Sequence, residues 1–123
     1  MSKGNALGMI AISRKAGRLK MGFDPAEGSL GHGAVLLLFA SDVSPKTKAR
    51  IQYKAEQYVV PSLTLPYSAD EVHRAVGKRV AVMAVTDQGL ADRITALTAE
   101  HDEEEFDIGW INTAFTRLQR IST

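Results

Sequence analysis

Six apolar residues, Ala34, Val35, Leu36, Leu37, Leu38 and Phe39, follow one another without a polar interruption. An apolar run of this length between turn signals predicts a strand buried on both faces, with helices above and below its sheet. It gives way to Ala40-Ser41-Asp42. Ser44-Pro45 then marks a helix start, with serine as the cap and proline in the first turn. That helix has an irregular inward face of Ala49, Ile51, Ala55 and Tyr58.

The rest of the chain alternates between the two periodicities. Residues 6–14 set Leu7, Ile10 and Ala11 on one helical face, and Gly17 stands where a helix closes. A short strand is predicted over 19–22. Asp24-Pro25-Ala26-Glu27 carries three signals of a short helix start. Asp24 can cap, Pro25 suits the first helical position, and Glu27 has capping-box spacing. Further strands are predicted over 59–65, with Pro61 near the start, and over 80–85. Ser68-Ala69-Asp70-Glu71 is a capping box that opens a helix through Val76. Thr86-Asp87 caps a helix reaching about residue 99, with Leu90, Ile94 and Leu97 on one face. Helices and strands therefore alternate, as expected of an α/β fold built as a three-layer α/β/α sandwich. Past the charged break His101-Asp102-Glu103-Glu104-Glu105, the apolar residues Phe106, Trp110 and Phe115 recur. The expected division is a domain over 1–100 and a C-terminal extension over 101–123 that packs on the domain or on a partner.

With 123 residues the chain fits one domain, and without cysteine it has neither disulfides nor thiolate metal sites. No signal-peptide layout opens it, and its longest apolar run is far shorter than the roughly 20 residues of a membrane span. A cytoplasmic protein with no membrane partner is expected, and a monomer rather than an oligomer. The net charge of +1 conceals an asymmetry. Residues 1–80 carry 12 Lys/Arg against 6 Asp/Glu, and residues 81–123 carry 3 against 8. A basic body suits an anionic ligand, and a soluble surface of uneven charge is the plainer reading.

Catalytic chemistry has little support. His32, His73 and His101 lack a histidine partner at metal-ligand spacing, and the chain has no G-x-S-x-G elbow and no P-loop. A non-enzyme is expected, with no catalytic residues, no metal and no cofactor. Anion binding reads better. Gly17-Arg18-Leu19-Lys20-Met21-Gly22 leads into a helix start, although Asp24 opposes an anion there. Gly77-Lys78-Arg79 sets two cations on a glycine turn, and Lys46, Lys48, Arg50 and Lys54 form a secondary basic helix surface.

The order of these signals resembles a known family. Leu7-Gly8 through Arg14-Lys15-Ala16-Gly17-Arg18-Leu19 is similar to its opening helix and turn. The stretch from Ala40-Ser41-Asp42 to Lys46-Thr47-Lys48 is similar to its strand-to-helix junction. Val60-Pro61, Tyr67-Ser68, Ala75-Val76-Gly77-Lys78 and Val82-Met83-Ala84-Val85-Thr86-Asp87-Gln88-Gly89-Leu90-Ala91 continue the likeness over about residues 7–97. The chain resembles the bacterial YlxQ-type branch of the ribosomal L-seven-Ae superfamily. The resemblance implies a four-stranded mixed sheet between helices and binding of kink-turn RNA, ribosomal or messenger. It puts the RNA face on turns 22–28 and 76–80, with Gly22, Phe23, Asp24, Gly28, Val76, Gly77, Lys78 and Arg79 as site residues, to which the basic Lys20 before the first turn is added as a compensating cation. The chain departs from the family at Asp24, Pro25 and Gly28, which stand where RNA binders carry an Asn-Glu-x-x-Lys-like set. An alternative reading is a protein-interaction or regulatory module that kept the fold and lost specific RNA binding, with its partner on the C-terminal extension.

Overall fold

The computed structural model describes residues 2–101, and the predicted extension lies outside the described residues. Five helices and four strands alternate along them. These are α1 (Ser2–Lys15), β1 (Leu19–Met21), α2 (Phe23–Ser29), β2 (Leu36–Phe39), α3 (Pro45–Gln57), β3 (Ser62–Thr64), α4 (Ala69–Val76), β4 (Val82–Val85) and α5 (Gln88–His101). The alternation is the expected one, and the strands are shorter than predicted. The runs over 34–39, 59–65 and 80–85 each include flanking residues that are apolar without entering the sheet ladder.

The sheet order is β1-β4-β2-β3. β2 pairs parallel with β3, while β4 pairs antiparallel with both β1 and β2. The sheet is thus mixed, and β2 and β4 are its two inner strands. All four residues of each are buried. Alternation along β2 sends Leu36 and Leu38 into a core with Ala6 and Ile10 of α1, Val72 and Val76 of α4 and Ile94 of α5. Leu37 and Phe39 enter a second core with Ala26 of α2 and Ile51 and Ala55 of α3. Two cores on opposite faces of one sheet explain why the strand reads as a continuous apolar run. Each large side chain fully buried there contributes about 1.5–3 kcal/mol.

The helix boundaries have local causes. α1 closes at Gly17, which holds φ 73°. The amide of Arg18 reaches the Ser13 carbonyl at 2.9 Å, and that of Gly17 the Arg14 carbonyl at 3.0 Å. Ser44 caps α3 by accepting from the Thr47 amide at 3.1 Å. Ser68 and Glu71 form the predicted capping box, with both of its hydrogen bonds present. Asp87 caps α5 by accepting from the Leu90 amide at 2.9 Å.

Two expectations are corrected. The first concerns α2, whose cap is Gly22 rather than Asp24. Asp24 and Pro25 therefore lie inside the first turn, and Pro25 is not the first helical residue. Proline fits there because an amide at that position would have no intrahelical partner in any case. The second concerns α3. Ile51 and Ala55 face inward, but Ala49 and Tyr58 are exposed.

Candidate nucleic-acid interface

The strand directions bring several connections to one end of the sheet. β1, β2 and β3 finish there and β4 begins there, since Met21 is opposite Met83, Phe39 opposite Val82 and Phe39 beside Thr64. The starts of α2, α3 and α4 therefore share that end with the loop between α4 and β4. The Ser41 amide donates to the Tyr67 carbonyl at 2.7 Å, and Asp42 Oδ1 accepts from the Ala69 amide at 3.0 Å. These bonds tie the approach to α3 to the first turn of α4.

The β1–α2 turn and the loop entering β4 both lie toward this end. The Gly22 amide donates to the Val82 carbonyl at 2.8 Å. That contact holds the β1–α2 turn against the strand into which Gly77, Lys78 and Arg79 feed. Gly22 has φ 106° and ψ 161°, a backbone region essentially confined to glycine. It caps α2 without a side-chain hydrogen bond. Gly77, at φ 80° and ψ 7°, closes α4 in the left-handed conformation, and its amide donates to the His73 carbonyl at 2.8 Å.

Around this backbone frame the candidate residues divide by exposure. Lys20, Asp24, Gly28, Gly77, Lys78 and Arg79 are exposed. Leu19 and Met21 pack toward the α1/α4/α5 core, so Lys20 between them faces the α2 side of the sheet. Phe23 is half-buried against the α2/α3 core. Val76 is buried in the opposite core, so only its backbone serves the loop. Arg79 Nε lies 2.7 Å from Asp70 Oδ1, with both side chains exposed. The hydrogen bond and charge of Arg79 hold the Asp70 carboxyl below its ordinary range, and Asp70 raises Arg79 in return. An exposed pair of this kind is weak and screened, so a phosphate can compete for the guanidinium.

Sequence reasoning did not place Arg50 here. Its guanidinium lies 4.8 Å from the centre of the Phe23 ring, which joins α3 to the α2 start. The usable signal is topological: α2 and α3 both follow strands that finish at the same end of the sheet. Lys48 is committed to the fold instead. Its Nζ donates to Thr64 Oγ1 at 2.9 Å and lies 5.6 Å from the Phe39 ring centre. Lys20, Lys78 and Arg79 are thus exposed cations on separate elements, and Asp24 is an exposed carboxylate in the first turn of α2.

Comparison with solved structures supports the architecture. A protein of unknown function from Bacillus halodurans superposes with a TM-score of 0.70 at 23% identity, covering 76% of this chain and 95% of that one. The 15.5kD RNA binding protein of Giardia lamblia superposes with a TM-score of 0.64 at 18% identity, covering 81% of this chain and 88% of that one. At these identities the likeness shows a shared fold, and it fits the sandwich that the sequence resemblance implies. No protein-family model matches the chain, and no curated protein matches its sequence.

Proposed function

We propose that this chain is a non-enzymatic RNA-binding protein of the YlxQ-type branch of the L-seven-Ae superfamily. Its target is a kinked, non-helical RNA element, ribosomal or messenger, met in the cytoplasm. The observation that carries this reading is the Gly22–Val82 hydrogen bond, which ties the β1–α2 turn to the start of β4, the strand that the Gly77-Lys78-Arg79 loop enters. A fold shared with an RNA-binding protein supports it. Among the described residues, no helix is long and apolar enough to cross a membrane.

The proposed mechanism is recognition of shape. Lys20, Lys78 and Arg79 take phosphates, and each contact adds a salt-dependent increment of affinity. The two glycine turns bring backbone close to unstacked bases, where proteins read RNA most specifically. Asp24 accepts hydrogen bonds but cannot donate them, and Gly28 offers no side chain. This face therefore relies on the second loop and on Lys20 more than a face with a full polar set would.

Fluorescence anisotropy with a kink-turn RNA and a matched plain duplex, at several salt concentrations, tests the proposal. The kinked RNA should bind more tightly, with affinity falling steeply as salt rises. Equal, weak binding to both RNAs would remove the specific claim and favour the protein-interaction reading.

A further inference from the structure

The outer surface of α3 is not explained by the sheet-end face. Lys46, Arg50, Tyr53 and Gln57 recur at spacings of three and four, which places them on one stripe of the helix. Lys54 and Tyr58 border that stripe on the side toward α2. Tyr53 is 68% exposed, Tyr58 48% and Val59 76%. Two exposed tyrosines therefore stand beside Lys46, Arg50 and the half-buried Lys54, and Arg50 also packs on Phe23. The one carboxylate of α3, Glu56, lies to one side of the stripe.

The far end of this surface is held in a fixed shape. A Cβ on Gly31 would come within 2.5 Å of Tyr58 Cε1, so glycine there lets the Tyr58 ring lie directly on the backbone. Val59 holds φ 56°, the one positive value outside glycine among the described residues. It occupies the position that Gly17 fills at the end of α1, with an equivalent pair of closing hydrogen bonds, Val60 to Ala55 at 2.9 Å and Val59 to Glu56 at 3.1 Å. A β-branched residue in this conformation is strained, and such strain concentrates at functional sites. At the near end, Arg50 packs on Phe23, which belongs to the sheet-end face.

We infer that α3 is a track for single-stranded RNA, continuing from the sheet-end face through Arg50 to Tyr53 and Tyr58. This inference rests on the RNA-binding reading above. Basic side chains that follow a backbone, interleaved with aromatic rings on which bases stack, are the general solution for single strands. The eight steps from Arg50 to Tyr58 rise about 12 Å, room for a few nucleotides. The occupant is a single-stranded extension of the RNA whose kinked part sits at the sheet end.

The test measures binding of a kinked RNA with and without a single-stranded tail of about ten uridines, a length within the range that such surfaces engage. The tail should tighten binding to the wild-type chain about tenfold, the scale of one base–aromatic stack. Tyr53→Ala should abolish that gain and leave the tailless RNA unaffected, and Tyr53→Phe should retain it. Tyr53 is exposed, so neither change should disturb folding. A tail that adds nothing, or a gain that survives Tyr53→Ala, overturns the track. If the kinked RNA is bound no better than a duplex, the earlier reading fails while the track is still decided by oligouridine alone. Oligouridine binding that Tyr53→Ala weakens supports the track, and binding that is absent or unchanged overturns it.

Discussion

Helices α2 and α4 begin at the same end of the sheet and are closed in opposite ways. At α4, Ser68 and Glu71 satisfy each other's amides, Asp42 reaches the Ala69 amide, and Asp70 holds Arg79. At α2 there is no side-chain cap, and a glycine in a conformation closed to other residues makes the turn. One start is completed by its own side chains, whereas the other is held by a backbone bond from Gly22 to Val82 and leaves Phe23 half-buried. The difference separates a turn built for stability from a turn proposed to meet a ligand.

The largest way to break the contrast is Gly22→Ala. A side chain at φ 106° and ψ 161° should cost about 1–3 kcal/mol and shift the urea midpoint accordingly. Ser68→Ala removes half of the capping box and should cost about 1 kcal/mol in the same assay, with RNA binding unchanged. Asp70→Asn frees Arg79 for phosphate, and the salt dependence of RNA affinity should steepen by about 0.7 in logarithmic slope if one contact is gained. The pair also has an acid signature. Because the folded Asp70 carboxyl lies below its ordinary range, its contribution is present above that range and is lost as pH falls through the depressed value. In an NMR pH titration, Arg79→Ala should return Asp70 to the ordinary carboxylate range. The smallest expected effect is Asp24→Asn. It supplies a donor and removes a repulsive charge, and should tighten binding of kinked RNA a few-fold without changing stability.

The same contrast marks what the sequence makes legible. Ser44, Ser68 and Asp87 cap where their spacing says they should, because capping is a contact over three residues. The buried inner strands are also readable, since a strand covered on both faces needs no polar positions. The start of α2 is misread for a local reason. Asp24-Pro25-Ala26-Glu27 has the composition of a helix start, but the turn is fixed two residues earlier by the antiparallel register of β1 on β4. Tyr58 is misread because residue type suggests core, while its surroundings leave it on the surface. The contacts of Gly22 with Val82 and of Arg50 with Phe23 depend on strand order. No local pattern encodes that order.

The uncapped α2 start and the Gly77 loop are proposed to form one RNA face. The most direct test is an NMR titration of the isotope-labelled chain with kink-turn RNA. The amides of Gly22, Phe23, Gly77, Lys78 and Arg79 should shift together and saturate at a common RNA concentration. Unmoved Gly22 and Gly77 amides in a complex that nevertheless forms would contradict the claim.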